Sequence, residues 1–149
     1  MTDGRGRLPL LLLLAAVSFH PVHVSAEDPA AQNFQTGLAY ERLGRYDEAY
    51  TQLQLAFALD QNDARIAVAL GVVACRLGRW DVAQRALERS IAVDANSTAS
   101  YFQLGLLYEK NGMTDRAADA WHRFASLTQD EPLKLVAQKH IRVLEARAL

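Results

Sequence analysis

Apolar residues follow helical spacing in two consecutive stretches that begin near residue 30. Phe34 and Leu38 share one face of the first stretch, and Leu53 and Phe57 share one face of the second, because residues four apart are neighbours on a helix. Gly44 interrupts the pattern between them. Glycine ends helices readily because it tolerates positive φ. The pattern predicts two α-helices joined by a short turn.

This two-helix pattern recurs twice further along the chain, each time at the same offset. No insertion or deletion separates the three copies. Self-similarity at a fixed period of about 34 residues indicates a stack of structural repeats. Four columns are identical in all three copies: Gly37, Gly71 and Gly105; Gly44, Gly78 and Gly112; Asp47, Asp81 and Asp115; Ala49, Ala83 and Ala117.

Polar residues mark the expected helix starts. Asp47 and Glu48 fall in the first turn of the second helix, where the helix dipole favours carboxylates. Asp63 and Ser97 are the expected N-caps of the first helices in the second and third copies. Thr114 is the expected N-cap of the last helix in the third copy. Because acids recur at helix starts, we interpret them as helix signals rather than catalytic groups.

Small residues alternate with large ones along the predicted helices. Gly71 and Gly105 are expected to let the second helix of each hairpin approach closely, with Ala83 and Ala117 as its small partners. Large side chains are expected to fill the remaining gaps: Trp80, Leu87, Tyr101, Tyr108, Trp121 and Phe124. The sequence therefore predicts interdigitated helix pairs.

One more helix is predicted after the third copy, over residues 132–149, where Pro132 suits the first turn. Its apolar stripe is Leu133, Val136, Ala137, His140, Ile141 and Leu144, and its polar side carries Lys134, Lys139, Arg142 and Arg147. We expect it to cap the stack, although a partner-binding amphipathic helix has the same pattern. The whole chain then predicts an all-α fold of seven helices without strands.

Several columns of the repeat resemble the tetratricopeptide repeat family. The elements that carry the resemblance are a Leu-Gly-x-x-Tyr run (Leu104–Tyr108), a Gly-x-[Tyr/Trp]-Asp turn (Gly44–Asp47 and Gly78–Asp81), the alanine two residues after that aspartate, and a closing apolar-Asp pair (Leu59-Asp60 and Val93-Asp94). The resemblance covers residues 30–131. It implies an α-solenoid of three helix-turn-helix units, residues 30–63, 64–97 and 98–131, followed by the capping helix.

The chain also departs from the family pattern. Asn33 and Thr36, then Ala67 and Ala74, replace large residues in the first and second copies; Thr114 and Thr128 replace the turn aromatic and the closing aspartate in the third; Gln61, Ala95 and Gln129 stand where proline is usual. These departures concern the ends of the array more than its fold.

In this family the first helices of successive repeats line a concave groove that binds a peptide or helix of a partner protein. Carried over by repeat position, the resemblance implies an apolar floor made of Phe34, Leu38, Val68, Val72, Phe102 and Leu106, beside a basic column made of Arg42, Arg76 and Lys110. Neighbouring helices lie about 8–10 Å apart, so the column is expected to meet successive groups on an extended peptide or on an apolar helix that carries acids.

The same residues also fit a surface that binds no partner. Glu41 and Glu109 could neutralise the basic column while the apolar residues pack between repeats. The carboxylate clamp of chaperone-binding relatives is not expected, since Phe34, Leu38 and Val68 take the places where lysine or asparagine would be needed.

Residues 1–26 have the pattern of an export signal. Arg5 and Arg7 precede an apolar run over residues 8–17, and Val24-Ser25-Ala26 supplies small residues before a cut ahead of Glu27. The run is about half the length of a membrane span, so we expect cleavage after Ala26, with an uncleaved anchor as the alternative. A short linker, residues 27–29, follows. The predicted location is periplasmic or secreted, with the membrane involved only through the signal.

The composition limits the kinds of ligand, disulfide and metal site that we expect. The chain has 149 residues and a formal net charge of −1, and removal of the signal leaves 14 basic and 16 acidic residues, a net of −2. Nucleic-acid binding is therefore disfavoured. Cys75 is the single cysteine, so an internal disulfide is impossible; an inert half-buried thiol and an intermolecular disulfide both remain open. His122 and His140 do not have metal-site spacing, and no metal or cofactor is expected.

These features favour a non-catalytic scaffold or adaptor in the cell envelope, with a segment of another protein bound in its groove. A self-assembling protein, in which one array stacks on the next as a homo-oligomer, is the alternative. An enzyme is disfavoured because no nucleophile with an adjacent base, no phosphate loop and no metal cluster appears in the sequence.

Overall fold

The computed structural model describes residues 28–147 and contains seven α-helices in that range. They are α1 (Pro29–Arg42), α2 (Tyr46–Leu59), α3 (Ala64–Arg76), α4 (Trp80–Val93), α5 (Thr98–Lys110), α6 (Thr114–Leu127) and α7 (Glu131–Arg147). No strand occurs between residues 28 and 147. The predicted all-α fold is therefore confirmed. The predicted signal, residues 1–26, lies outside the described residues, as do Glu27 and residues 148–149.

The helices pack as three hairpins and a closing helix. α1 packs on α2, α3 on α4 and α5 on α6, while α7 packs on α6. The first helices α1, α3 and α5 also contact one another in that order, and each hairpin contacts the next. This arrangement confirms the predicted α-solenoid. The limits 30–63, 64–97 and 98–131 assigned to the repeats remain a prediction.

Each hairpin turns on a glycine in the left-handed region of backbone conformation. Gly44, Gly78 and Gly112 have φ values of 71°, 70° and 70°. In the first turn the N–H of Gly44 donates to the carbonyl of Glu41, and the N–H of Arg45 donates to the carbonyl of Tyr40, both at 2.9 Å. These bonds satisfy carbonyls that the end of α1 would otherwise leave unpaired.

The turn geometry also decides where the second helices begin. α2, α4 and α6 all start two residues after the turn glycine, so Thr114 is the first residue of α6 and Met113 is its N-cap. The prediction of Thr114 as the N-cap was wrong. Thr114 instead occupies the repeat position of Tyr46 and Trp80, because the three turns have the same length.

The other two predicted caps differ from each other. The carboxylate of Asp63 accepts a 2.8 Å hydrogen bond from the N–H of Arg65, which confirms it as the cap of α3. Ser97 precedes α5, but its side chain makes no capping bond. Its hydroxyl lies 2.9 Å from that of Ser100, which lies 2.8 Å from that of the fully buried Ser90. The hydroxyl of Ser97 therefore serves a cluster between α4 and α5 instead of the helix end.

The two helices of a hairpin approach each other closely at the recurring glycines of the first helices, as predicted. A Cβ at position 71 would lie 2.5 Å from Cγ of Leu87, and one at position 105 would lie 2.7 Å from Cε2 of Trp121. Leu87 and Trp121 are both fully buried. The glycines thus leave the space that large side chains of the second helices fill.

The helix α7 closes the stack with one buried face and an exposed side that mixes polar and apolar residues. Ala137, Ile141 and Leu144 are its buried residues. One period earlier, α5 buries Leu104, Gly105 and Tyr108. The matching positions of α7 are the exposed Gln138, Lys139 and Arg142. Two of these positions are charged, and Leu135, four residues before Lys139 on the same face, is 62% exposed. Between residues 28 and 147, no helix combines the length and apolar content that a bilayer span requires.

Candidate partner-binding groove

The first helices form an open surface with apolar cavities between them. Phe34 and Leu38 of α1 and Val68 and Val72 of α3 line an open cavity of about 410 Å³. They face each other because each pair is spaced four residues apart on its helix and α1 lies against α3. The structure therefore brings together the four residues that the resemblance assigned to this part of the floor.

The same surface continues from α3 to α5. Val72, Arg76 and Gln103 line a second cavity of about 280 Å³ together with Cys75. A third cavity, of about 230 Å³, is lined by Leu106, Lys110 and Trp80, again with Cys75 and Gln103. Val72 is shared by the first two cavities, and Cys75 and Gln103 are shared by the last two. We call this continuous surface, from Phe34 to Lys110, the groove.

Two of the predicted floor residues belong more to the core than to the surface. Phe34 is only 8% exposed. Phe102 is half-buried, and its ring packs edge-on against Trp121 and Phe124 with centroids 5.4 and 5.3 Å away. The exposed part of the floor is consequently made by Leu38, Val68, Val72 and Leu106.

The basic column rests on aromatic rings of the preceding repeat. Cζ of Arg76 lies 5.2 Å from the ring centroid of Tyr46, and Nζ of Lys110 lies 3.6 Å from that of Trp80. Cations are attracted to ring faces. Within residues 28–147, no aromatic ring lies under the guanidinium of Arg42.

Glu41 and Glu109, the acids next to the column, form no ion pair with it within residues 28–147. Within residues 28–147, Arg42, Arg76 and Lys110 form no ion pair with a carboxylate. Glu109, one of the two acids considered for that role, accepts a hydrogen bond from Trp121 and contacts His140 instead. The suggestion that Glu109 neutralises the column was therefore wrong, and the three bases remain available to an acidic ligand.

The helix α7 reaches α5 through the side chain of His140. Nδ1 of His140 lies 2.7 Å from Oε1 of Glu109, and its ring stacks on Trp121. Val136 and Val143 lie four and three residues from His140, so they share its helix face, and both are exposed. The face of α7 that carries His140 therefore exposes two apolar side chains.

Sequence reasoning missed the contribution of Tyr46, Trp80 and Gln103 to this surface. Tyr46 was recognised only as a turn residue, and Trp80 as a turn residue and as a large side chain that fills a gap between helices. They stand one repeat period apart, as Arg76 and Lys110 do, and this shared period was the available signal. Gln103 gave no signal of its own.

Cys75 lies half-buried at the junction of the second and third cavities. Burial raises the pKa of its thiol above the ordinary value, and the positive charge of Lys110 opposes this rise only in part. The thiolate is the nucleophilic form, so these surroundings make Cys75 a poor nucleophile. Among residues 28–147, no group of three or more histidine, cysteine or acidic side chains is arranged to hold a metal ion.

The fold and the groove define this protein as an α-solenoid of helix hairpins with an open surface on its first helices. A family model described as tetratricopeptide repeat matches residues 41–105, and a second model with the same description matches residues 99–127. The chain belongs to the tetratricopeptide repeat family. The matched residues run from the end of α1 to the last residue of α6.

Solved structures share this architecture. The crystal structure of the MamA protein is 25% identical with a TM-score of 0.71; the match covers 77% of this chain and 61% of that chain, so this chain spans less than two thirds of its length. PcrH in complex with the chaperone binding region of PopD is 23% identical with a TM-score of 0.74, over 86% of this chain and 99% of that chain.

The Yersinia enterocolitica type III secretion chaperone SycD, in complex with a peptide of the translocator YopD, is 16% identical with a TM-score of 0.74, over 83% of this chain and 98% of that chain. At these identities, the likeness to PcrH and SycD shows a shared fold. Among curated proteins, none matches this chain.

Proposed function

We propose that this protein is a non-catalytic adaptor of the cell envelope whose groove holds an apolar, acidic segment of another protein. The observation that carries the proposal is the groove itself. Its apolar cavities are continuous across α1, α3 and α5. Arg76 and Lys110 line two of them, and in the described part of the chain neither base, nor Arg42, forms an ion pair.

The apolar cavities account for the apolar part of the ligand. Leu106 is 40% exposed, and Leu38, Val68 and Val72 are half-exposed around open cavities. Adjacent exposed apolar side chains in a concavity gain free energy when a ligand displaces water from them, by about 25 cal/mol per Å² of apolar surface buried. A short apolar segment is the matching ligand.

The basic column accounts for the acidic part. One positive charge per repeat favours a ligand whose carboxylates recur along its length. Arg76 and Lys110 lie over aromatic rings and line the second and third cavities, so their charges are at the groove. A neutral or basic segment would leave the bases without a counter-charge.

Two further observations support a protein partner in the envelope. PcrH and SycD, which share the fold, are seen with a segment of PopD and a peptide of YopD respectively. The pattern of residues 1–26, with Arg5 and Arg7 before an apolar run and small residues before Glu27, supports export. The mass of the protein isolated from its own cells tests the export step directly: a chain that begins at Glu27 is expected, and one that begins at Met1 would contradict cleavage.

A matched pair of variants tests the groove. Leu106→Glu places a charge in the groove, and Val93→Glu places the same charge on the end of α4, where Val93 is 39% exposed and lines none of the groove cavities. In capture experiments from an envelope extract, proteins retained by wild type and by Val93→Glu should be lost with Leu106→Glu. Equal retention by the two variants would remove the groove from the proposal.

Charge reversal tests the column in the same way. Arg76→Glu should reduce capture of the same proteins, while Arg85→Glu, an exposed position on α4 outside the groove, should leave it unchanged. Loss of capture in both variants would indicate a response to net charge alone. The expected loss with Arg76→Glu should also shrink at high salt, because the pairs are near the surface.

The stacking of one array on the next is less well supported. It would require the outward face of α7 to pack against another helix, and that face presents the charged Lys139 and Arg142 to solvent beside Leu135. Burial of these charges without partners is costly.

A further inference from the structure

Only one of the chain's four asparagines has a hydroxyl residue two positions later. Asn96 begins the triplet Asn96-Ser97-Thr98. The other three lack the hydroxyl, since the residues two positions after them are Gln35, Ala64 and Met113. Asn-x-Ser/Thr, where x is not proline, is the acceptor triplet of N-glycosylation. The triplet is a usable site only if the fold leaves room for a sugar on Asn96.

Asn96 is exposed and lies in the turn between α4 and α5. The N–H of Ser97 closes this turn with a 3.1 Å hydrogen bond to the carbonyl of Asp94. The carboxylate of Asp94 accepts a further 3.0 Å hydrogen bond from the backbone N–H of Asn96. The side-chain amide of Asn96 takes part in neither bond and makes no other hydrogen bond within residues 28–147. Its nitrogen therefore faces solvent without a protein partner.

The matching asparagine of the previous repeat has a structural contact that Asn96 lacks. Asn62 makes the same backbone bond in the turn before α3. Its side-chain oxygen, however, accepts a hydrogen bond from Nη2 of Arg89 at 2.5 Å. Arg123, one period after Arg89, lies instead over the ring of Tyr101, with Cζ 5.6 Å from the centroid. Asn96 thus holds no neighbour in place, and a sugar on its amide would displace no contact.

The turn that carries Asn96 lies outside the groove. None of residues 94–98 lines the three groove cavities. Thr98 is the first residue of α5, and Leu106 lies about 12 Å further along that helix, at a rise of about 1.5 Å per residue. Lys110 is at the far end of the same helix. A sugar on Asn96 would therefore extend into solvent and leave these groove residues accessible.

We propose that Asn96 is an N-glycosylation site. The co-substrate is a saccharide joined through its C1 to a lipid-linked diphosphate. Nδ2 of Asn96 forms a C–N bond to C1, the bond from C1 to the diphosphate oxygen breaks with its electron pair on the leaving diphosphate, and the amide gives up one proton to a base. This inference rests on the proposed export, because the triplet serves as an acceptor in exported chains.

Transfer takes place before the third repeat folds. In the folded chain Thr98 is half-buried in the first turn of α5, and the hydroxyl of Ser97 joins those of Ser90 and Ser100. An enzyme that recognises the triplet must reach the amide at position 96 and the hydroxyl at position 98 together. This is possible while the chain is still extended, and the fold then keeps the modified Asn96 at the surface.

Mass spectrometry of the protein isolated from its source cells tests the proposal. The tryptic peptide of residues 90–110 should carry one saccharide on Asn96, and the peptide of residues 46–65, which contains Asn62, should be unmodified. Asn96→Gln and Thr98→Ala should each abolish the addition, whereas Thr98→Ser keeps the hydroxyl and should retain at least part of it. Circular dichroism should show all three variants folded, because neither side chain makes a hydrogen bond within residues 28–147.

An unmodified Asn96 in wild type overturns the proposal, whichever residue the chain begins with. A sugar that is attached to Ser97 or Thr98, that persists in Thr98→Ala, or that is lost with Thr98→Ser also overturns it. The N-terminus in the same preparation reports on export separately. A chain that begins at Glu27 with an unmodified Asn96 contradicts the glycosylation and leaves the proposed export intact. None of these results bears on the groove, which the capture variants test.

Discussion

The indole N–H of Trp121 donates a 2.5 Å hydrogen bond to Oε1 of Glu109. The same oxygen lies 2.7 Å from Nδ1 of His140, whose ring stacks on the indole with centroids 4.4 Å apart. One carboxylate therefore joins α5, α6 and α7. Trp121 is fully buried, so water has little access to replace this acceptor.

Glu109→Ala should loosen α7 more than the rest of the stack. It leaves a buried indole N–H without its acceptor and removes the contact to His140, which should lower the free energy of unfolding by about 1–3 kcal/mol. Hydrogen exchange should become faster across Glu131–Arg147 and stay unchanged in α1. The control is Glu41→Ala at the same repeat position, where the carboxylate has no hydrogen bond within residues 28–147. Equal hydrogen-exchange protection of α7 in the two variants would contradict the role of Glu109 in holding α7 on the stack.

Gly71→Leu should destabilise the second hairpin by overpacking. The added Cβ alone would lie 2.5 Å from Cγ of Leu87, which is fully buried and has no free space to move into. We expect the free energy of unfolding to fall by about 1–3 kcal/mol in a chemical denaturation experiment. A variant as stable as wild type would show that the helices can separate at this point without cost.

Low pH should weaken the contact that Glu88 makes between the second and third repeats. Burial alone raises the pKa of Glu88, but hydrogen bonds from Tyr108, Gln84 and Arg116 outweigh it and hold the pKa below the ordinary value of 4.5. A depressed carboxyl pKa contributes stability above the unfolded-state pKa, and this stability is lost as the pH falls through the folded-state pKa.

Stability should therefore decline as the pH falls below about 4.5, and Glu88→Gln should flatten part of that decline. Urea denaturation at pH 7 and pH 3.5 measures both effects. Arg116→Ala should act in the same direction, because it removes a 2.6 Å ion pair with Glu88. A pH dependence identical in wild type and Glu88→Gln would show that other carboxyl groups control it.

Cys75 should react slowly with a thiol reagent such as a disulfide dye. Burial raises its pKa, so less thiolate is present at pH 8 than in the urea-unfolded chain. Lys110→Ala should slow the reaction further, because the ammonium group lowers that pKa. On a non-reducing gel the purified protein should migrate as a single chain. A disulfide-linked species in fresh preparations would show that the intermolecular alternative is correct.

Repetition made the fold predictable. A single glycine such as Gly71 has many explanations, but glycine at the same place in three successive copies indicates a structural role in the hairpin. The left-handed turn at Gly44 follows from the same argument. Thr114 was misplaced because it was judged by its own capping propensity, whereas the length of the turn before it decides the helix start.

The groove was less predictable than the fold. Phe102 stands at a repeat position that was predicted to line the groove, yet its ring packs on Trp121. The reason is that the second helix of the third copy carries this large indole and not a smaller side chain. Glu109 and His140 are 31 residues apart on different helices, so no local pattern indicated that they meet. The predicted groove positions follow from the repeat, while the pairing of charges depends on individual side chains.

Photo-crosslinking in the source cells tests the central claim most directly. Leu106→p-benzoylphenylalanine places the reactive group in the groove, and Val93→p-benzoylphenylalanine places it at a comparably exposed position outside it. Adducts from position 106 should map to one segment of another protein that carries both apolar and acidic residues, and position 93 should give none of them. Adducts that are absent at position 106, or the same from both positions, would contradict the proposal that the groove holds a partner.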